Sequence, residues 1–236
     1  GRRPHYGTVI EAGRKRHPEA KKDLIRLAGD PLYPVIVRST ALSLLTAYPG
    51  EETNRAFDLA LMDDEALIRR TPVQSIALSG LRRQTDLIAP LLYDSVAAVR
   101  MEAASTLAGE SSKRLSPDQQ KVFQNALQEY IAAMEYSGDF AFGRYNLAML
   151  YNGRGENDKA ERLFRDVVAK HPELYDVAYS LGLLLAEREK HKEALGYLER
   201  AAKGLPERSR IQYNLGLLLQ VLQRDSEAEA ALRCFF

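Results

Sequence analysis

Histidine and cysteine are the side chains best suited to hold a transition metal or to act as base and nucleophile. The chain has four histidines, His5, His17, His171 and His191, and one cysteine, Cys234. None of the histidines has a second His, a Cys or a carboxylate three or four residues away that would complete a metal set on one helix face. Cys234 has no sequence neighbour that would activate it and reads as a small apolar residue of a helix. The acidic run Asp63-Asp64-Glu65 precedes a helical stretch, where the helix dipole favours negative charge without any bound cation. No Gly-rich phosphate loop is present. We therefore expect no catalytic residues, no cofactor and no metal, and hence not an enzyme.

Charge narrows the partners. The net charge is +1, with 45% hydrophobic and 28% charged residues over 236 positions, so no global field draws the chain to nucleic acid or to a membrane surface. The first 26 residues are locally basic, holding eight Lys and Arg against three Asp and Glu. That is the pattern of a solvated helix face or of a contact with an acidic partner. Tyr6 is the one aromatic among these basic residues, too few to stack bases, and nucleic acid is not expected as a partner. No apolar run approaches the roughly 20 residues that span a bilayer. A lone cysteine gives no intrachain disulfide, which leaves the compartment open. Gly1 in place of Met, and the apolar, uncapped "AEAALRCFF", lead us to expect a piece of a longer chain. The same apolar end predicts a twofold contact between C-terminal helices, a homodimer.

The informative signal is periodicity. Tyr145, Tyr179 and Tyr213 stand 34 residues apart, as do Leu147, Leu181 and Leu215. The same shift aligns Ala148, Gly182 and Gly216, then Ala160, Ala194 and Ala228, then Phe164, Leu198 and Leu232, and finally Pro172 with Pro206. Small residues at two fixed places, polar turns ("NGRGEND", "EREKHKE", "LQRDSE") and a closing proline predict pairs of antiparallel helices. We expect the small residues of each first helix to meet Ala160, Ala194 and Ala228 of the second, letting the backbones approach. This stretch, about 140–236, resembles the tetratricopeptide repeat family. The third motif lacks its closing proline.

A second pattern lies upstream. "GDPLYPVIVRSTALSLL", "MDDEALIRRTPVQSIAL" and "YDSVAAVRMEAASTLAG" each open on an acid (Asp30, Asp64, Asp94) followed by an arginine (Arg38, Arg70, Arg100). Ala41, Val73 and Ala103 then align, as do Leu45, Ala77 and Leu107. The aspartate is expected to cap the second helix of each pair. The arginine bridges either to that aspartate or to the one in the preceding repeat. The scheme resembles HEAT repeats. Between the arrays, Ser116-Pro117 reads as an N-cap and first helical residue. A stripe of Val122, Ala126, Leu127, Tyr130, Ile131 and Met134 predicts a joining helix packed on the first tetratricopeptide motif, and another helix is expected over 4–16. The expected fold is all-α, a right-handed α-solenoid. It has HEAT-like repeats over 1–115, a joining helix over 116–139 and three tetratricopeptide motifs over 140–236.

The tetratricopeptide resemblance implies a non-catalytic scaffold whose first helices line a concave groove for a peptide or protein partner. The positions implied are Phe142, Tyr145, Asn146 and Met149, then Asp176, Tyr179, Ser180 and Leu183, then Arg210, Tyr213, Asn214 and Leu217. Some family members hold an acidic C-terminus with a clamp of lysine and asparagine. Here Asn146 and Asn214 are present and the lysines are not, so an apolar segment hydrogen-bonded by the asparagine amides is expected instead. The alternative is that the three tyrosines pack between repeats. The order of elements, beginning "HYGTVIEAGRKRHPEAKKDLIRLAGDPLYPVIVRSTALSLLTAYPG", resembles the C-terminal part of bacterial multihaem cytochrome c-related proteins. That resemblance implies a periplasmic accessory region docking redox partners, with a cytoplasmic location as the alternative. The chain has no Cys-x-x-Cys-His, so it is expected to bind no c-type haem itself.

Overall fold

The computed structural model describes residues 5–76, 81–138 and 140–233, and every regular element among them is helical. The chain divides by its internal contacts into two units, 1–130 and 131–236, with the division inside one long helix. No described helix is long and apolar enough to cross a membrane.

The first unit runs α1 (Tyr6–Arg14), α2 (Ala20–Gly29), α3 (Val35–Leu45), α4 (Glu51–Ala60), α5 (Ala66–Arg70), α6 (Val73–Ile76) and α7 (Leu81–Ile88). A 3-10 turn (Ala89–Tyr93), α8 (Ala97–Leu107), a second 3-10 turn (Glu110–Arg114) and the start of α9 (Pro117–Tyr136) follow. α2 packs on α3, α3 on α5, and α5 on α8, so the later helix of each repeat stacks on the next. Ser116 and Gln119 exchange hydrogen bonds at 3.3 and 3.0 Å, the reciprocal cap expected of this pair of side chains. Phe123, Ala126 and Leu127 are the buried residues of α9. Phe123 therefore belongs to the stripe and Val122 lies at its edge.

The repeat register here differs from the sequence expectation by one residue in the middle unit. Asp30, Asp63 and Asp94 each accept a hydrogen bond from the amide two residues on, Leu32, Glu65 and Val96, at 3.0, 3.0 and 2.9 Å. Asp63, not Asp64, is thus the repeating acid. Arg69, not Arg70, is the repeating base: it donates to the carbonyls of Asp63 and Asp64 at 2.7 and 2.8 Å. Arg100 does the same to Asp94 and Ser95 at 2.8 and 3.1 Å. Arg38, Arg69 and Arg100 then stand a uniform 31 residues apart. In that register Leu42, Val73 and Ala104 are equivalent and buried, as are Leu45, Ile76 and Leu107. Ala77, the expected middle member of the second set, lies outside the described residues.

The arginines also point the other way along the stack. Arg38 pairs with Asp63, and Arg69 holds Asp94 through two bonds of 2.6 and 2.9 Å. Arg38 and Arg69 therefore pair with the carboxylate of the following repeat's aspartate, while Arg69 and Arg100 also hold the backbone carbonyl of their own. The reason is local: the aspartate's own-turn bond goes to an amide, which leaves its outer oxygen facing the helix of the previous repeat. Arg100 ends the series on Glu129 of α9 at 2.9 Å.

The second unit contains the end of α9, then α10 (Ala141–Gly153), α11 (Asn157–Lys170), α12 (Tyr175–Glu187), α13 (His191–Gly204), α14 (Ser209–Val221) and α15 (Asp225–Arg233). α10 pairs with α11, α12 with α13 and α14 with α15; α11 packs on α12 and α13 on α14. The small residues permit this. A Cβ on Gly182 would lie 2.8 Å from Leu198, and one on Gly216 2.6 Å from Leu232 and 3.4 Å from the Ala228 carbonyl oxygen. The glycines thus seat the large residue of the second helix, and Gly216 also meets Ala228 as expected. Ala148, Ala160, Ala194 and Ala228 are all buried in the same core. Glu161 is buried and accepts from Arg165 at 2.8 Å, Arg188 at 2.8 Å and Lys190 at 2.9 Å, which ties α11 to the turn between α12 and α13. Cys234 and the phenylalanines after it lie outside the described residues, and with them the surface expected to form a homodimer.

Each turn within a pair reverses through one left-handed residue. Gly155, Glu189 and Gln223, 34 apart in sequence, have φ of 75°, 60° and 59°. The following amide in each case bonds a carbonyl five residues back, Glu156 to Tyr151, Lys190 to Leu185 and Arg224 to Leu219, all at 2.9 Å. This is the helix-ending geometry that glycine favours, and two of the three turns adopt it without glycine. Replacing Glu189 or Gln223 by Gly is expected to stabilise the chain by about 1 kcal/mol each, seen as a raised thermal midpoint. Gly155→Ala is expected to lower it.

The ion pairs predict acid sensitivity. The Arg69 hydrogen bond holds the Asp94 carboxyl below its ordinary range against the opposing effect of burial. For Asp63 burial pushes upward, but bonds from Arg38 and the Glu65 amide outweigh it. Glu161 is likewise pushed up by burial and brought down by Lys190 and Arg165. A carboxyl depressed in the folded state contributes its full stability above the unfolded pKa of about 4 and loses it as pH falls through the lower folded value. Urea midpoints should therefore fall steeply below about pH 4. Asp94→Asn should cost about 2 kcal/mol at neutral pH and flatten that slope.

Candidate partner-binding face

The candidate face belongs to the second unit and is built from α10, α12 and α14, the first helices of the three pairs. Side chains three and four apart lie on one side of a helix, so the twelve implied residues fall in four rows across the pairs. The outer row is Phe142, Asp176 and Arg210. Phe142 is 70% exposed, Asp176 is ion-paired to Arg208, and Arg210 is exposed. The tyrosine row divides. Tyr145 and Tyr179 are half-buried against the core, Tyr145 with its ring 6.1 Å from that of Phe164. Tyr213 is 41% exposed. Tyr145 thus meets the second helix of its own pair, while Tyr179 is bonded to α14 of the next pair.

The third row is Asn146, Ser180 and Asn214. Asn146 Nδ2 donates to Met134 Sδ at 3.7 Å, on the α9 segment that precedes α10. Ser180 Oγ donates to the Asp176 carbonyl at 3.0 Å. Asn214 Nδ2 donates to the Tyr179 hydroxyl at 2.5 Å, joining α12 to α14. One amide hydrogen of each asparagine is therefore spent within the protein. The inner row is Met149, Leu183 and Leu217. Met149 and Leu217 are exposed, while Leu183 lies half-buried on the core.

One residue that sequence reasoning passed over continues this face. Val221 is 59% exposed and follows Tyr213 and Leu217 at intervals of four on α14. That spacing was the signal available for it. Arg208, just before α14, was also missed, and it neutralises the one acid of the outer row. Among the described residues no group of three His, Cys, Asp or Glu is placed to hold a metal ion.

Residues 145–207 match the family model for the tetratricopeptide repeat. This covers the segment from within α10 through α13. Among solved structures, the chain is similar to one titled MamA AMB-1, at 18% identity and a TM-score of 0.42, over 72% of this chain and 89% of that one. It is also similar to human deoxyhypusine hydroxylase in complex with glycerol, at 17% identity and a TM-score of 0.37, over 95% and 99%. No curated protein matches the sequence.

The Asn214–Tyr179 bond makes a separable prediction. Tyr179→Phe removes the acceptor and keeps the ring, so urea unfolding should show a loss of about 1 kcal/mol with the helical circular dichroism spectrum unchanged.

Proposed function

We propose that the chain is a protein-interaction scaffold whose second unit receives an apolar segment of a partner on the face of α10, α12 and α14. The observation that carries this reading is the exposure of Phe142, Met149, Tyr213, Leu217 and Val221 on α10 and α14, on either side of and within the 145–207 segment that matches the tetratricopeptide model. Burying an exposed side chain of this size against a partner contributes roughly 1.5–3 kcal/mol, whereas leaving it in water contributes nothing to the fold. The central pair offers a flatter, less apolar patch, since Asp176 is neutralised by Arg208 and Tyr179 is held by Asn214. The partner's apolar side chains accordingly sit over α10 and α14. Its backbone meets the side-chain amides of Asn146 and Asn214.

In the same spirit we read the first unit as HEAT-like. The reading is supported by its uniform 31-residue register and by aspartates that bind both their own turn and the preceding repeat's arginine. Both units are then arrays whose product is surface rather than a reaction centre.

The test uses the exposed positions, because alanine at Tyr145 or Tyr179 would also disturb the core. Immobilised chain and a Phe142→Ser/Met149→Ser/Tyr213→Ser/Leu217→Ser variant are exposed to source-cell extract, with thermal melting as the folding control. Capture of a protein by the native chain and at least a tenfold loss with the variant is expected. Equal capture by both would remove this face from the function.

A further inference from the structure

The first unit carries a second row of exposed apolar side chains that its fold does not use. It lies on the edge formed by the turns at Asp30, Asp63 and Asp94. In the 31-residue register Met62 and Tyr93 are equivalent, one residue before the aspartate. Leu32 and Val96 match by place in the turn rather than in that register, each two residues after its aspartate. Ile36 and Leu67 are equivalent, two residues before the arginine. Leu32 is 86% exposed, Met62 76% and Tyr93 56%, and the other three are also open to solvent. The Arg38–Asp63 and Arg69–Asp94 pairs tie α3 to the turn at Asp63 and α5 to the turn at Asp94, so these residues belong to neighbouring elements of one stack. Single exposed apolar residues are ordinary, but a contiguous set marks an interaction surface. Recurrence at equivalent solvent-facing positions has no packing cause, since none of the six is buried.

Charge along this edge selects the occupant. The three arginines are bound: Arg38 to Asp63, Arg69 to Asp94, and Arg100 to Glu129. Asp64 and Glu65 are exposed in the middle turn and form no ion pair among the described residues. The edge therefore presents apolar anchors beside an excess of negative charge, with Asp64 partly offset by the nearby Arg69 and Glu65 exposed next to it. We propose that it docks a segment of another protein in which apolar side chains are flanked by lysine or arginine. The apolar side chains would cover Leu32, Met62 and Tyr93, and the basic ones would face Asp64 and Glu65. This surface is separate from the face on α10, α12 and α14, and it stands or falls without it.

The probe is a fluorescein-labelled synthetic peptide of alternating leucine and lysine pairs, with a leucine–glutamate peptide as its charge-reversed counterpart. Fluorescence anisotropy is followed on the full chain and on three variants: Met62→Ser/Tyr93→Ser, Asp64→Lys/Glu65→Lys, and Phe142→Ser/Met149→Ser. All these positions are exposed, and circular dichroism checks that each variant folds. Saturable binding of the basic peptide is expected, weakened at least tenfold by either edge variant and left unchanged by the α10 variant. Raised salt should weaken it, and the glutamate peptide should not bind. The proposal is overturned if the basic peptide fails to bind or if the edge variants bind it as the native chain does. Loss confined to the α10 variant would also overturn it, placing peptide binding on the other face.

Discussion

A pair of antiparallel helices has no interior of its own, and everything in both units follows from that constraint. Each pair has two faces to cover and only one partner within itself, so stability comes from the contact with the next pair. In the second unit that contact is set by distance. Gly182 and Gly216 remove the Cβ that would hold the helices apart, and Leu198 and Leu232 enter the space. In the first unit it is set by charge, with an arginine on each later helix reaching the aspartate of the next turn. The two devices solve one problem with different chemistry. Apolar seating gains from area removed from water, whereas the ion pairs must also offset the cost of desolvating both partners. They do so by satisfying nearly every donor of the guanidinium: Arg69 makes four bonds, two to Asp94 and two to carbonyls of the preceding turn.

The same constraint determines which surfaces are left for recognition. Side chains that face the core are consumed by packing, as Tyr145 and Tyr179 partly are. Exposed apolar residues are left on one side of α10 and α14 in the second unit, and along the turn edge in the first. Both remaining surfaces carry apolar residues at recurring positions, and they differ in charge. The first carries the exposed Arg210 once Asp176 and Arg208 cancel. The second is acidic around Asp64 and Glu65. Under both proposals the two surfaces would select chemically distinct partners.

The 34-residue register was legible in sequence because every position in it answers a packing demand that few residue types meet: glycine or alanine at the close approach, leucine or phenylalanine in the gap. The 31-residue register was legible only to within one residue. Asp63 and Asp64 are a doublet, and so are Arg69 and Arg70, and residue type alone does not say which member faces the neighbour. Backbone geometry decides it, since the true acid bonds the amide two residues on. The left-handed turns were hidden for a related reason. Glu189 and Gln223 have none of the composition of such a turn, and only alignment with Gly155 betrays them. Membership of the candidate face was readable from helix position. Exposure was not, because it depends on how deeply the next pair seats: Tyr179 and Tyr213 occupy equivalent places and end with different surroundings. Met134, which takes up Asn146, comes from outside the 34-residue pattern altogether.

The direction of the arginine bridges has a consequence for how such an array changes length. Each bridge runs forward, from Arg38 to Asp63 and from Arg69 to Asp94, across a constant offset, with the repeats themselves 31 residues apart. Excising one whole repeat, from just after Arg38 through Arg69, would bring Asp94 to the place Asp63 had occupied. Duplicating the same segment would supply both members of the added bridge at once. In-frame gain or loss of a unit therefore strands no charge, whereas removal of a few residues within a unit would separate an arginine from its mate. The array is built in a form that recombination can lengthen or shorten by whole units while heredity of the fold is preserved.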